Sequence, residues 1–142
     1  MKSKIFTTIL LIISLNTLAQ KWEEVTKDKF GNKYYIKTSY VSKGGQFGSD
    51  ENIIKIWTKK TVNEIEDKRQ NKRKIYKNAY VIELIEFDCR NSSTKLHSRT
   101  AYSAQGNLII ADNIDPFDTD WNVIIPDSVG ETIINRVCEL YN

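Results

Sequence analysis

The sequence predicts an α+β domain: an antiparallel sheet of about five or six strands, with a C-terminal helix packed on it and joined to it by a disulfide. Three observations carry this. Short segments rich in branched and aromatic residues alternate with Gly, Asn and Ser turn signals from residue 33 to residue 110. The last stretch of chain then switches to a helical period behind a capping sequence. Two cysteines, Cys89 and Cys138, fall on the strongest strand and on that helix, in a chain whose first residues read as an export signal.

The start sets the compartment. Lys2 and Lys4 precede the apolar run 9–13, and Thr17, Leu18 and Ala19 precede Gln20. A charged start, a brief apolar core and a small residue at the end predict a signal peptide over 1–19, cleaved near Ala19. The run is too short for a membrane span, which takes about 20 apolar residues. No cysteine stands at the boundary to carry a lipid, so the expectation is an exported chain that is periplasmic, cell-surface or secreted. Removing 19 of 142 residues leaves 123, the size of one domain over 20–142. Lys2 and Lys4 leave with the signal, so 21 basic residues become 19 against 18 acidic ones, a net of +1. That balance offers no general attraction to nucleic acid or to an anionic membrane. In an exporting pathway the two thiols are expected to pair. One histidine and two distant cysteines do not assemble the usual N/S metal set, and no metal or cofactor is expected.

The elements follow in order. Trp22 opens the mature region, with Val25 and Phe30 behind it, and Gly31 and Asn32 turn the chain into a strand over 33–36. Turns around Gly44 and Gly48 lead to a strand over 53–58, with Ile54 and Ile56 on one face and Ile53 and Trp57 on the other. Residues 59–77 are mostly charged and lack a sustained apolar stripe. They are expected to form a long exposed hairpin tip, a frayed helical turn being the alternative. Residues 79–89 give the strongest strand. Val81, Ile85, Phe87 and Cys89 share one parity while Tyr80, Ile82 and Leu84 share the other, which suits a central strand covered on both sides. Asn91, Ser92 and Ser93 then turn the chain into a strand over 95–103, with Leu96, Thr100 and Tyr102 on one face. Gln105, Gly106 and Asn107 make a hairpin turn into 108–110, and a polar stretch follows over 112–120. Ser128 and Glu131 stand at capping-box spacing, and Val129, Ile133, Val137 and Leu140 make an apolar stripe flanked by Ile134, Cys138 and Tyr141. Cys138 sits at the edge of the stripe, so the disulfide should staple the helix to the central strand at Cys89.

Certain residues of this pattern carry a likeness. Trp22 follows the signal, Tyr34-Tyr35-Ile36 lies on the first clear strand, Trp57 stands at the end of an apolar strand, and Asp88-Cys89 closes another. Tyr102 with Gly106, Trp121 with Pro126-Asp127-Ser128, and Val137-Cys138 complete it. In this spacing of aromatics and cysteines the mature chain resembles the surface-adhesin protein E family. The resemblance implies a small exported antiparallel sheet with a C-terminal helix, a Cys89–Cys138 disulfide, and a binding rather than a catalytic role. The implied function is a non-enzymatic module holding host or envelope macromolecules. The alternative is a periplasmic accessory protein of an envelope complex with no adhesive role.

Residue types that carry chemistry are few. His97 is the only histidine, at the parity of Lys95 and Arg99, and reads as an ordinary surface residue rather than a general base. Glu86 and Asp88 share a face roughly 7 Å apart, and read as two acids at the wet end of a strand facing Lys or Arg across the ladder. The acids at 112, 115, 118 and 120 lack the alternation and glycine of a calcium loop, and lead into a Trp121 expected to be buried. Trp22 and Trp57 are likewise expected in the core, with some of Tyr34, Tyr35, Tyr40, Tyr76 and Tyr80 exposed. The largest local charge excess is Lys68, Arg69, Lys72, Arg73 and Lys74. It is the candidate patch for a protein or anionic glycan partner, a solvated loop being the plainer reading. A nucleic-acid partner is not expected, and a homodimer through a sheet edge is open to such a fold.

Overall fold

The structure is a computed structural model that describes residues 21–44, 50–68, 73–115 and 119–141; the expected signal segment lies outside them. The described strands are β1 (Trp22–Lys27), β2 (Lys33–Lys43), β3 (Ile53–Asp67), β4 (Lys74–Asp88), β5 (Ser93–Tyr102), β6 (Leu108–Asn113) and β7 (Asn122–Val123), followed by the helix α1 (Val129–Tyr141). Strands β1 to β6 lie side by side in chain order, each antiparallel to the next, and β7 pairs with Ser93 and Thr94 of β5. Such a meander needs only tight turns. Gly31 and Gly106 supply two of them at φ of 83° and 84°, a conformation that costs other residues strain.

Side-chain alternation divides the sheet into two faces. Ile36, Ile54, Ile56 and Phe87 point to one side, where Ile134 and Val137 of the helix close the main core over them. The helix is tied down twice more. Cys89 at the end of β4 is bonded to Cys138, with Cα atoms 5.8 Å apart, and the Arg136 guanidinium meets Glu23 of β1 at 2.7 Å. The cap forms as its spacing predicts: the Glu131 amide donates to Ser128 Oγ at 3.2 Å. The Glu131 carboxylate accepts from the amide of Asp127 at 2.8 Å, one residue further back than the usual box. The buried line runs through Ile134 and Val137, and Leu140 of the expected stripe is exposed. A second cluster, Ala79, Val81, Ala101 and Ile109, lies farther along the sheet beyond the helix.

Several segments depart from expectation. The β3–β4 ladder runs unbroken in direction from Ile53 opposite Asp88 to Asp67 opposite Lys74. Most of 59–77 is therefore strand: backbone ladder bonds hold it, and Val62, Ile65 and Tyr76 pack against the second cluster without forming a continuous stripe in sequence. The 33–36 strand continues to Lys43 past an irregularity between Ile36 and Val41, and 108–110 continues to Asn113. Trp121, expected in the core, is exposed just before the short strand β7, whose Val123 also faces out.

Candidate functional site

The face turned away from the helix carries most of the aromatic side chains of the sheet, and strand register sets them on a grid. Trp22 lies opposite Lys37, Tyr35 opposite Lys59, Lys59 opposite Ile82, and Ile82 opposite Thr100. One step along the strands, Trp57 lies opposite Leu84; one step the other way, Thr61 lies opposite Tyr80 and Tyr80 opposite Tyr102. The rings are half-buried, so each leaves part of its surface in water. Tyr80 and Tyr102 stack at 5.3 Å with 17° between their planes.

Lys59 stands in the middle. Its Nζ lies 4.5 Å from the Tyr35 ring centre and 4.9 Å from that of Trp22, and burial lowers its pKa from the ordinary lysine value. Two depressions flank it. One of about 370 Å³ is lined by Trp22, Tyr35, Lys59, Thr61, Tyr80 and Ile82. The other, about 260 Å³, is lined by Trp22, Lys37, Trp57, Ile82, Thr100 and Tyr102. They share Trp22 and Ile82, which makes them one continuous shallow surface. Neither depression is lined by an acid among the described residues; Glu24, opposite Tyr35 on β1, is held by Lys33 at 3.2 Å and Lys27 at 3.6 Å, and the Lys33 contact keeps its carboxyl below the usual range. Among the described residues neither Lys37 nor Lys59 has an ion-pair partner.

The lower end of the same face holds a second group. Glu86 is buried with only 3% of its side chain exposed; Lys55 Nζ lies 3.0 Å from Oε1, and His97 Nε2 lies 3.0 Å from Oε2. These are ion-pair distances, although Glu86 Oε1 and His97 Nε2 do not meet hydrogen-bond geometry. Both acids were expected in water and are not. Asp88 is also buried, and its carboxylate accepts from the amides of Arg90 and Asn91 and from the Asn91 side chain. His97 leaves the solvent parity because β5 carries a bulge: Leu84 faces Ser98 while the next residue, Ile85, faces Leu96. The same bulge separates Leu96 from Thr100 and Tyr102.

Against this fold and surface stand the known proteins. The family model of surface-adhesin protein E matches residues 22–139. The chain belongs to the surface-adhesin protein E family. The structure of Haemophilus influenzae protein E is similar in fold, at a TM-score of 0.55 and 14% identity over 84% of this chain and 85% of that one. No curated protein sequence matches the chain.

In this protein E-family chain the basic patch sits at the outer end of the β3–β4 hairpin. Lys68 and Arg73 both turn to Glu66, at 3.7 Å and 2.6 Å, and Lys74 lies 4.6 Å over the Tyr76 ring. Arg69 and Lys72 lie outside the described residues. On the helix side a cavity of about 170 Å³ lies between β3, β4 and the start of the helix, lined by Tyr34, Thr58, Glu83, Phe87, Ile124 and Ile133 among others. No group of three or more His, Cys, Asp or Glu is placed to hold a metal among the described residues, and no described helix is long and apolar enough to cross a membrane.

The helix-free face is what sequence reasoning missed, since Trp22 and Trp57 were expected in the core. One signal was present. Tyr35 and Lys37, Trp57 and Lys59, and Tyr80 and Ile82 are i, i+2 pairs on adjacent strands.

Proposed function

We propose that this chain is an exported, non-enzymatic binding module that holds a macromolecular partner on the helix-free face of its sheet. The observation carrying the reading is the continuous surface of Trp22, Tyr35, Trp57 and Tyr102 around Lys37 and Lys59. Trp, Tyr and cations make effective contact surfaces because they offer large rigid area with a polar tip. A structural reason for so many rings here is weak, because the helix, the disulfide and the main core all lie on the other side.

The Glu86, His97 and Lys55 group does not argue for catalysis. The acid and the imidazole lie against each other and are buried, and neither lines either depression. A general base must reach a substrate proton. The group serves the sheet instead.

The test compares two variants of the purified protein on a panel of matrix and envelope macromolecules. Trp22→Ala with Trp57→Ala should abolish capture, while Lys68→Gln with Lys74→Gln at the hairpin end should leave it intact. The reverse pattern would move the contact to the basic patch. Protease shaving of intact cells, beside a periplasmic control, places the module. Loss of this protein while the control survives means display to the medium, and survival of both means a periplasmic accessory role.

A further inference from the structure

We infer that the helix-free face takes an acidic oligosaccharide, one whose sugar rings carry carboxylates, with the rings lying on Trp22, Trp57 and Tyr102 and the acid groups meeting Lys37 and Lys59. The inference rests on the reading of that face as the binding surface and gives it a ligand class.

The first argument is the shape. A pyranose presents a flat apolar C–H face, and its hydroxyls point outward around the rim. A shallow surface built from ring faces matches the apolar side and leaves the hydroxyls in water or beside the hydroxyls of Thr61, Thr100, Tyr80 and Tyr102. The surface spans two adjoining depressions that share Trp22, which suits a chain of rings better than a single one.

The second argument is the charge. Lys59 is held among rings, and burial disfavours its cation, so an arriving carboxylate recovers an interaction that the fold leaves unmet. Lys37 supplies a second cation in the neighbouring depression. A carboxylate fixed on a ring carbon stands at the edge of a ring stacked flat, which is where a lysine beside an aromatic ring can reach it.

The third argument separates a saccharide from a peptide. Apart from Trp22, on the edge strand β1, the residues of the surface lie on β2 to β5, interior strands whose ladder bonds are already used by their neighbours. An extended peptide adds to a sheet by pairing its backbone with a free edge. Over the body of this surface it would find no backbone partner, whereas a saccharide needs none.

The test titrates the whole protein with an oligogalacturonate and reads tryptophan emission, since Trp22 and Trp57 lie in the surface and Trp121 lies outside it. A saturable change is expected, about tenfold weaker for Lys59→Gln and again for Lys37→Gln, the low end of what a charge-assisted hydrogen bond contributes. A neutral galacto-oligosaccharide of equal length should bind at least about tenfold more weakly. Melting curves confirm that both variants fold, and Lys68→Gln with Lys74→Gln should bind as the parent does. Equal binding of the neutral oligomer, or no loss in the lysine variants, overturns the inference. So does binding of a single-stranded oligonucleotide or an acidic peptide where the uronate fails. If the uronate fails while Trp22→Ala with Trp57→Ala still abolishes capture of macromolecules, the saccharide is wrong and the surface stands. If those tryptophan changes alter nothing, both readings fall together.

Discussion

Replacing Glu86 by glutamine keeps the shape of the side chain and removes its charge. In the parent protein that carboxylate lies 3.0 Å from Lys55 Nζ and 3.0 Å from His97 Nε2, with 3% of its side chain exposed. Breaking a buried charge pair costs about 3–5 kcal/mol, mostly from the partner left behind. The Lys55 side chain is 26% exposed and can turn toward water. That pushes the cost to the lower end, about 3 kcal/mol. For a domain of this size that corresponds to a melting temperature lower by roughly 12 °C, at about 4 °C per kcal/mol. Urea denaturation at neutral pH, followed by circular dichroism, measures it directly. The double variant Lys55→Met with Glu86→Leu removes both members of that pair and should return to within about 1 kcal/mol of the parent, because an apolar pair needs no solvation. A loss below about 0.5 kcal/mol for the glutamine variant, in the range of an exposed ion pair, would refute the reasoning. It would mean that water reaches Glu86.

Two further outcomes are expected. Cys138→Ser opens a loop between residues 49 apart in sequence, and the chain-entropy relation gives about 4 kcal/mol as the upper bound of its cost. Scanning calorimetry with and without reductant checks it: the reduced parent should melt with the variant, and hydrogen exchange should speed up first in α1. Asp28 accepts from the amides of Phe30 and Asn32 and from the Asn32 side chain, and these bonds, the Asn32 side chain foremost, lower its pKa from 3.8. Its folded value lies below its unfolded one, so its contribution is complete above the ordinary aspartate range and disappears as pH falls through the folded value. Melting curves from pH 5 downward should therefore fall more steeply for the parent than for Asp28→Ala; parallel curves would show that the turn is not fixed by this carboxylate.

The legible parts of this fold are those written locally. The capped helix follows from Ser128 and Glu131, the central strand from alternation on two faces, and the hairpin turns from Gly31 and Gly106. The pairing of Cys89 with Cys138 follows from two cysteines on elements expected to pack together. What stayed hidden depends on register. A bulge adds one residue without changing composition, so nothing near His97 announces that it turns inward onto Glu86. The length of the β3–β4 hairpin was hidden for another reason: backbone bonds carry it through a charged sequence in which only Val62, Ile65 and Tyr76 reach the second cluster, at no regular period. The aromatic surface was harder still. Trp22, Tyr35, Trp57, Tyr80 and Tyr102 come from five strands, and only the pairing of all five sets them on one side.

The disulfide, the helix and the main core all occupy one side of a single sheet, and the rings and free lysines occupy the other. Substitutions at Lys37, Trp57 or Tyr102 therefore fall on the side away from the helix, and the two sides can be altered independently. Such a molecule can exchange one specificity for another over generations, or at the bench, while its fold stays as it was. Libraries randomised at those positions should yield folded proteins at a far higher rate than libraries of equal size drawn from the helix-covered side.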